Sequence, residues 1–293
     1  MAVSPAQTAP APDTPGASSG ARSHARIAPP VDSACSRRSR SWLARSAMSA
    51  LAPVALGVVA LIVWQMVTQS GAFNPYLLPT PGQVARSFAD AAGSGLFVRY
   101  GSTTLAESLV GFALGAAVAL PMGYAIARSR TLAAALEPYM AASQAIPAVA
   151  LAPLLVLWLP GGLAPIALLC ALIVFFPAAI NTTLGFRRLD RDVVDAARID
   201  GAGGWSLLRH IETPLALPTV LAGLRTSLTL SITGAVVGEF VLSDQGLGGL
   251  LTIAHGNFDA PLVFATLIAL AILAMALYGV ARLLEWFLVY LED

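Results

Sequence analysis

Six stretches of this sequence run apolar for about twenty residues or more, the length a helix needs to cross a hydrocarbon layer about 30 Å thick. They cover about residues 49–68 (SALAPVALGVVALIVWQMVT), 102–127, 132–159, 163–184, 217–242 and 261–287. Lipid offers no hydrogen-bond partner to a bare backbone, so such runs must be helices. The expected fold is therefore an all-α membrane bundle of six transmembrane helices. Composition agrees, with 57% hydrophobic and 11% charged residues and a mean hydropathy of +0.74, where soluble domains are about a quarter charged.

All 17 basic residues are arginine. Without lysine the chain has no nucleotide-binding P-loop, which needs that side chain to reach the phosphates. Any ATP dependence must come from a partner. With the N-terminus inside, the inner tail and loops hold Arg22, Arg26, Arg37, Arg38, Arg40, Arg45, Arg128, Arg130, Arg187, Arg188, Arg191, Arg198 and Arg209, and the outer loops hold Arg86 and Arg99. That bias orients the chain N-in and C-in.

Residues 1–44 are rich in Ala, Pro, Ser and Gly and hold no apolar run. They read as a disordered cytoplasmic tail with no cleavable signal, leaving 45–293 as the transmembrane domain. Arg37, Arg38, Arg40 and Arg45 anchor the first span at the inner surface, a use favoured over a nucleic-acid patch. Cys35 and Cys170 are not spaced for a disulfide or a metal, and His24, His210 and His255 lie in unrelated segments. No catalytic triad, metal site or cofactor is expected.

Within the spans, Gly111, Gly115, Ala119 and Gly123 form a ladder that lets another helix approach closely, within one subunit or across two. Pro121, Pro147, Pro153 and Pro177 are expected to interrupt their helices. Ser227, Ser231, Gly234 and Gly238 make one small, polar stripe with Glu239 near its outer end. These five are candidates for lining a translocation path, although hydroxyls in membrane helices also bond neighbouring helices. Glu107 and Glu137 are expected near span ends within reach of water, Gln144 and Asn181 are uncharged alternatives, and Arg225 is expected to snorkel to the inner surface.

One inner loop, about residues 187–215, departs from the rest in being dense with charge: DAARIDGAGGWSLLRHIETP spans 195–214. Residues 189–200 read as a helix bringing Leu189, Val193, Ala196, Ala197 and Asp200 together. Gly201, Gly203 and Gly204 break it. A second piece over 205–211 carries Trp205, Leu208 and Ile211, and Pro214 is expected to end it. Two short amphipathic helices suit docking into a groove on a soluble partner, or lying flat on the lipid surface.

The loop resembles that of ATP-binding-cassette importer permeases, the binding-protein-dependent inner-membrane components, whose pattern is E-A-A, three residues, G, nine residues, I-x-L-P. Asp195, Ala196, Ala197, Gly201, Ile211 and Pro214 fill it, with Asp in place of Glu and Thr213 in place of Leu. LLPTPGQV (77–84), QAIPAVALAPLLVLWL (144–159), FFPAAINTTLG (175–185) and GEFVLSDQGLGGLL (238–251) look like segments of the branch that imports nitrate, taurine and aliphatic sulfonates.

The resemblance implies a non-catalytic permease in the bacterial inner membrane. It implies a second permease copy as a homodimer, two P-loop ATPase subunits docked on a coupling loop between spans four and five, and an extracytoplasmic solute-binding protein. The cargo it implies is a small solute of the nitrate, sulfonate or taurine kind, or alternatively a thiamine-precursor pyrimidine or other small metabolite. A membrane-embedded enzyme would need paired acids or a His cluster, and a stand-alone carrier or channel would need no docking loop.

Overall fold

The computed structural model describes residues 55–71, 74, 77–143, 145–159, 161–242 and 245–290. The expected tail of residues 1–44 lies outside them, as does Gln144. The chain divides into two units, residues 1–58 and 59–293, and the second carries every helix from α2 onward. Among the described residues every regular element is helical: α1 (Ala55–Gln69), α2 (Pro81–Gly93), α3 (Leu96–Arg128), α4 (Arg130–Ser143), a 3-10 turn (Ala148–Leu151), α5 (Ala152–Trp158), α6 (Leu163–Arg187), α7 (Arg191–Ile199), α8 (Gly204–Leu207), α9 (Thr213–Leu242), α10 (Gly246–Gly256) and α11 (Ala260–Tyr290).

Four helices are long and apolar enough to cross a membrane: α3, α6, the continuous stretch Gly204–Leu242 and α11. Of the other two expected spans, the first is represented by α1, and the third is divided into α4, the 3-10 turn and α5. The division falls at Pro147, which gives no N–H to a helix and pushes its predecessor out of helical geometry. The other prolines correct the expectation of interrupted helices. α3 runs through Pro121 and α6 through Pro177, and Pro153 sits at the opening of α5, where a missing N–H is harmless. In the middle of a bundle, packing against neighbouring helices holds a proline-bearing helix together.

The core is the trio α3, α6 and α9, brought together by small residues. A Cβ at Gly111 would collide with Cys170 Cβ and stand 2.6 Å from Ala167 O; at Gly115 it would stand 2.7 Å from Ala171 O, and at Gly123 2.7 Å from Ala179 O. The ladder therefore seats α3 on α6 inside this subunit. Thr183 Oγ1 clasps the same seam by donating to Gly123 O at 3.1 Å. On the other face of α6, Gly223 receives Asn181, Gly234 receives Ile173 and Gly238 receives Ile166.

Two helices lack an apolar run of membrane-crossing length to announce them in the sequence. α2 opens with a capping box, in which Thr80 N donates to Gln83 Oε1 at 2.9 Å and Gln83 N to Thr80 Oγ1 at 3.3 Å, with Pro81 in the first turn. The TPGQ of LLPTPGQV is thus a helix start. α10 is a short apolar helix whose Leu247, Leu250 and Leu251 pack with Leu270 of α11 and with Leu96, Phe97 and Tyr100 of α3.

Candidate functional site

The loop that follows α6 is two helical pieces with a glycine joint. Asp190 caps α7 by accepting from Asp192 N at 3.0 Å, and Arg198 occupies the last turn, where a cation complements the helix dipole. The end of α7 is a Schellman turn: Ala202 N donates to Ala197 O at 2.9 Å and Gly201 N to Arg198 O at 3.1 Å, with Gly201 at φ +92°. Asp195 is exposed and pairs with Arg198 at 2.9 Å; Ala196 is exposed and Ala197 half-buried. Val194 is the buried anchor of α7, and Val193 is left exposed. With Ile199 and Trp205, 87% and 72% exposed, it makes an apolar outer surface flanked by charge.

The second piece departs from expectation at Pro214. After α8, Leu208–Glu212 forms a π turn that leads straight into α9. Thr213 N reaches back five residues to Leu208 O. This wide turn absorbs the proline, which sits half-buried in the first turn of α9 instead of ending a helix. Leu208 and Ile211 are half-buried and Leu207 is 3% exposed. Glu212, 2% exposed, pairs with Arg128 at the end of α3 at 3.2 Å, and Arg187 of α6 pairs with Glu137 of α4 at 2.7 Å. The loop is thereby continuous with α9 and tied to α3.

The polar stripe of α9 is taken up by packing in this subunit. Ser227 and Ser231 are fully buried, Ser231 Oγ donates to Ser108 O at 2.5 Å, and Gly234 and Gly238 lie against α6. Glu239 is also fully buried, and Glu107 joins it. Glu107 lies eleven residues into α3, 2% exposed, because α3 begins at Leu96 and places it deep within the bundle and out of water's reach. Glu239 Oε2 accepts from Gly248 N at 2.6 Å and its carboxyl meets the side chains of Thr104 and Glu107. Leu247 N donates to Thr104 Oγ1 at 2.8 Å. The first turn of α10 is thus held by α3 and α9 together, and Gly246 (φ +79°) and Gly248 leave the space that Glu239 fills. Arg225 pairs with Glu285 of α11 at 2.8 Å and stacks on Tyr278.

Residues 111–288 match the family described as binding-protein-dependent transport system inner membrane component. The chain belongs to that family. The riboflavin transport system permease protein RibX of Chloroflexus aurantiacus is 46% identical over 82% of this chain and 89% of its own length. The formylaminopyrimidine transport permease protein ThiX of Halalkalibacterium halodurans is 30% identical over 80% of this chain and 94% of its own. A putative aliphatic sulfonates transport permease protein, SsuC of Bacillus subtilis, is 30% identical over 78% and 83%. A solved inward-facing structure of the MetNI methionine ABC transporter shares the fold, with a TM-score of 0.59 at 19% identity over 66% of this chain and 96% of that one. This permease is a multi-pass component of the bacterial inner membrane and a non-catalytic subunit of an importer for a small solute.

Proposed function

We propose that this permease passes a planar nitrogen heterocycle, riboflavin or a thiamine-precursor pyrimidine, in preference to nitrate, taurine or another sulfonate. The observation that carries the reading is the 46% identity to a riboflavin permease, against 30% for both the pyrimidine and the sulfonate relatives. Charge supports it: an anionic cargo gains from an unpaired cation deep in the bundle, and Arg225 is already neutralised by Glu285. In this reading the chain crosses the membrane six times, N-in and C-in, with α1 and the divided α4–α5 completing the four long helices. Two copies enclose one path, a solute-binding protein delivers cargo outside, and a pair of P-loop ATPases docks on the loop about residues 187–215.

The test is ATP-driven uptake of labelled riboflavin into proteoliposomes holding the complete complex and its binding protein. Accumulation that excess unlabelled riboflavin abolishes and taurine leaves unchanged is the expected result. Taurine-sensitive uptake with none of riboflavin overturns the reading in favour of a sulfonate importer.

The docking role of the loop is tested at Gly201. Its φ of +92° admits a β-branched side chain only with strain, yet nothing lies within 4 Å to obstruct insertion or folding. Gly201→Val is therefore expected to reach the membrane at wild-type levels while uptake falls about tenfold or more. Full uptake by that variant would remove the joint from the coupling path.

A further inference from the structure

The break between α4 and α5 lies beside a cavity of about 400 Å³, walled by Phe175 and Phe176 of α6, Met122 of α3, and Tyr139 and Met140 of α4. Phe175 stands twelve residues from either end of α6, at the middle of that helix. α4 enters from the inner end of α3 and covers about 21 Å before it stops, so the break too falls within the depth of the hydrocarbon layer.

Irregular backbone at that depth is tolerated where it is buried in protein or lines a cavity, and lipid-facing breaks do not occur. The backbone here is irregular: Ala145 and Ile146 donate to carbonyls three residues back, Pro147 donates to none, and a 3-10 turn follows. Ile146 is 57% exposed and Tyr139 75% exposed, so this subunit alone does not bury the break. A break at that depth is expected against protein or a cavity, and interrupted helices near the midplane hold the solute in secondary transporters.

The chemistry of the walls then selects the occupant. Phe175 and Phe176 meet edge to face, with ring centroids 5.0 Å apart and planes at 78°, so they offer surfaces in two orientations. Methionine sulfur and aromatic faces suit a flat π system, and the volume falls in the range of about 300–1,000 Å³ usual for small-molecule sites. Among the described residues no charged side chain lines the cavity, which disfavours a sulfonate or nitrate. We propose that this cavity is a cargo-contact site that stacks the planar ring of a heterocyclic solute in transit. The proposal rests on the heterocycle reading and adds where on the permease selection is made.

The test uses the complete complex in proteoliposomes with riboflavin as probe, reading both uptake and the ATP hydrolysis stimulated by the loaded binding protein. Tyr139→Ala removes an exposed wall and Ala142→Trp fills the cavity from an exposed position, so neither disturbs the packed core. Each is expected to slow riboflavin uptake about tenfold, the scale of losing one aromatic stacking partner, while stimulated hydrolysis changes by less than about twofold. Wild-type uptake by both variants would overturn the site and leave the riboflavin reading standing. Hydrolysis lost in step with uptake would also overturn it, because the defect would then lie in coupling or folding. Absence of riboflavin uptake by the wild type would overturn the heterocycle reading and the site with it.

Discussion

Gly115→Val is expected to lower the stability of the permease by about 3 kcal/mol or more and its apparent melting temperature in mild detergent by about 10 °C. A Cβ at this position would stand 2.7 Å from Ala171 O and 3.0 Å from Val174 Cβ and Cγ1. The first of those atoms is backbone, so no rotamer change relieves the clash, and α6 must move as a unit away from α3. Association of helices in lipid depends on close van der Waals packing and lacks the hydrophobic drive available in water. Gly111, Gly123 and the hydrogen bond from Thr183 to Gly123 lie on the same seam, so they are strained with it. Gly82→Ala is the control: it lies on α2 with nothing within 4 Å, and alanine there is expected to be neutral or slightly stabilising. If the two variants melted together, the close approach of α3 and α6 would be disproved.

Glu239→Ala is expected to release α10, at a loss of about 3 kcal/mol, from a buried amide left without an acceptor and the cavity the side chain vacates. Gly248 N has Glu239 Oε2 at 2.6 Å, and Glu239 is fully buried, so no water takes its place. Glu239→Gln keeps an acceptor oxygen of nearly the same shape and is expected to cost about 1 kcal/mol or less. The discriminating measurement is amide hydrogen exchange over Gly246–Gly256, fast in the alanine variant and near wild type in the glutamine one. Equal protection in both would show that the bond to Gly248 does not hold α10.

The six apolar runs and the charged loop are legible because each is a local property of a short window, and arginine placement needs only a count along the chain. The Schellman turn at Gly201 is legible for the same reason, since a glycine triplet after a helical period admits few other structures. The prolines are less so. Pro121, Pro147 and Pro177 look alike in sequence, and what separates them is whether packed neighbours hold the helix on both sides of the missing hydrogen bond. Pro214 reads as a stop because nothing local shows a π turn.

The carboxylates show the limit most clearly. Glu107 and Glu239 stand in different helices and far apart in the chain, and each alone reads as a group near a span end or a path. Their meeting beneath α10 depends on three helices converging through glycine contacts.

The sequence by itself determined that this chain is a helical membrane protein and that one of its loops departs from the rest in charge. Those follow from transfer of side chains and backbone between water and lipid, a sum over neighbours in the chain. Only the tertiary structure decided which glycines are seams, which proline is a break, and that Glu239 holds a helix start. Those depend on which surfaces meet. In a chain whose spans are apolar on every side, hydropathy does not distinguish a face that meets lipid from one that meets protein.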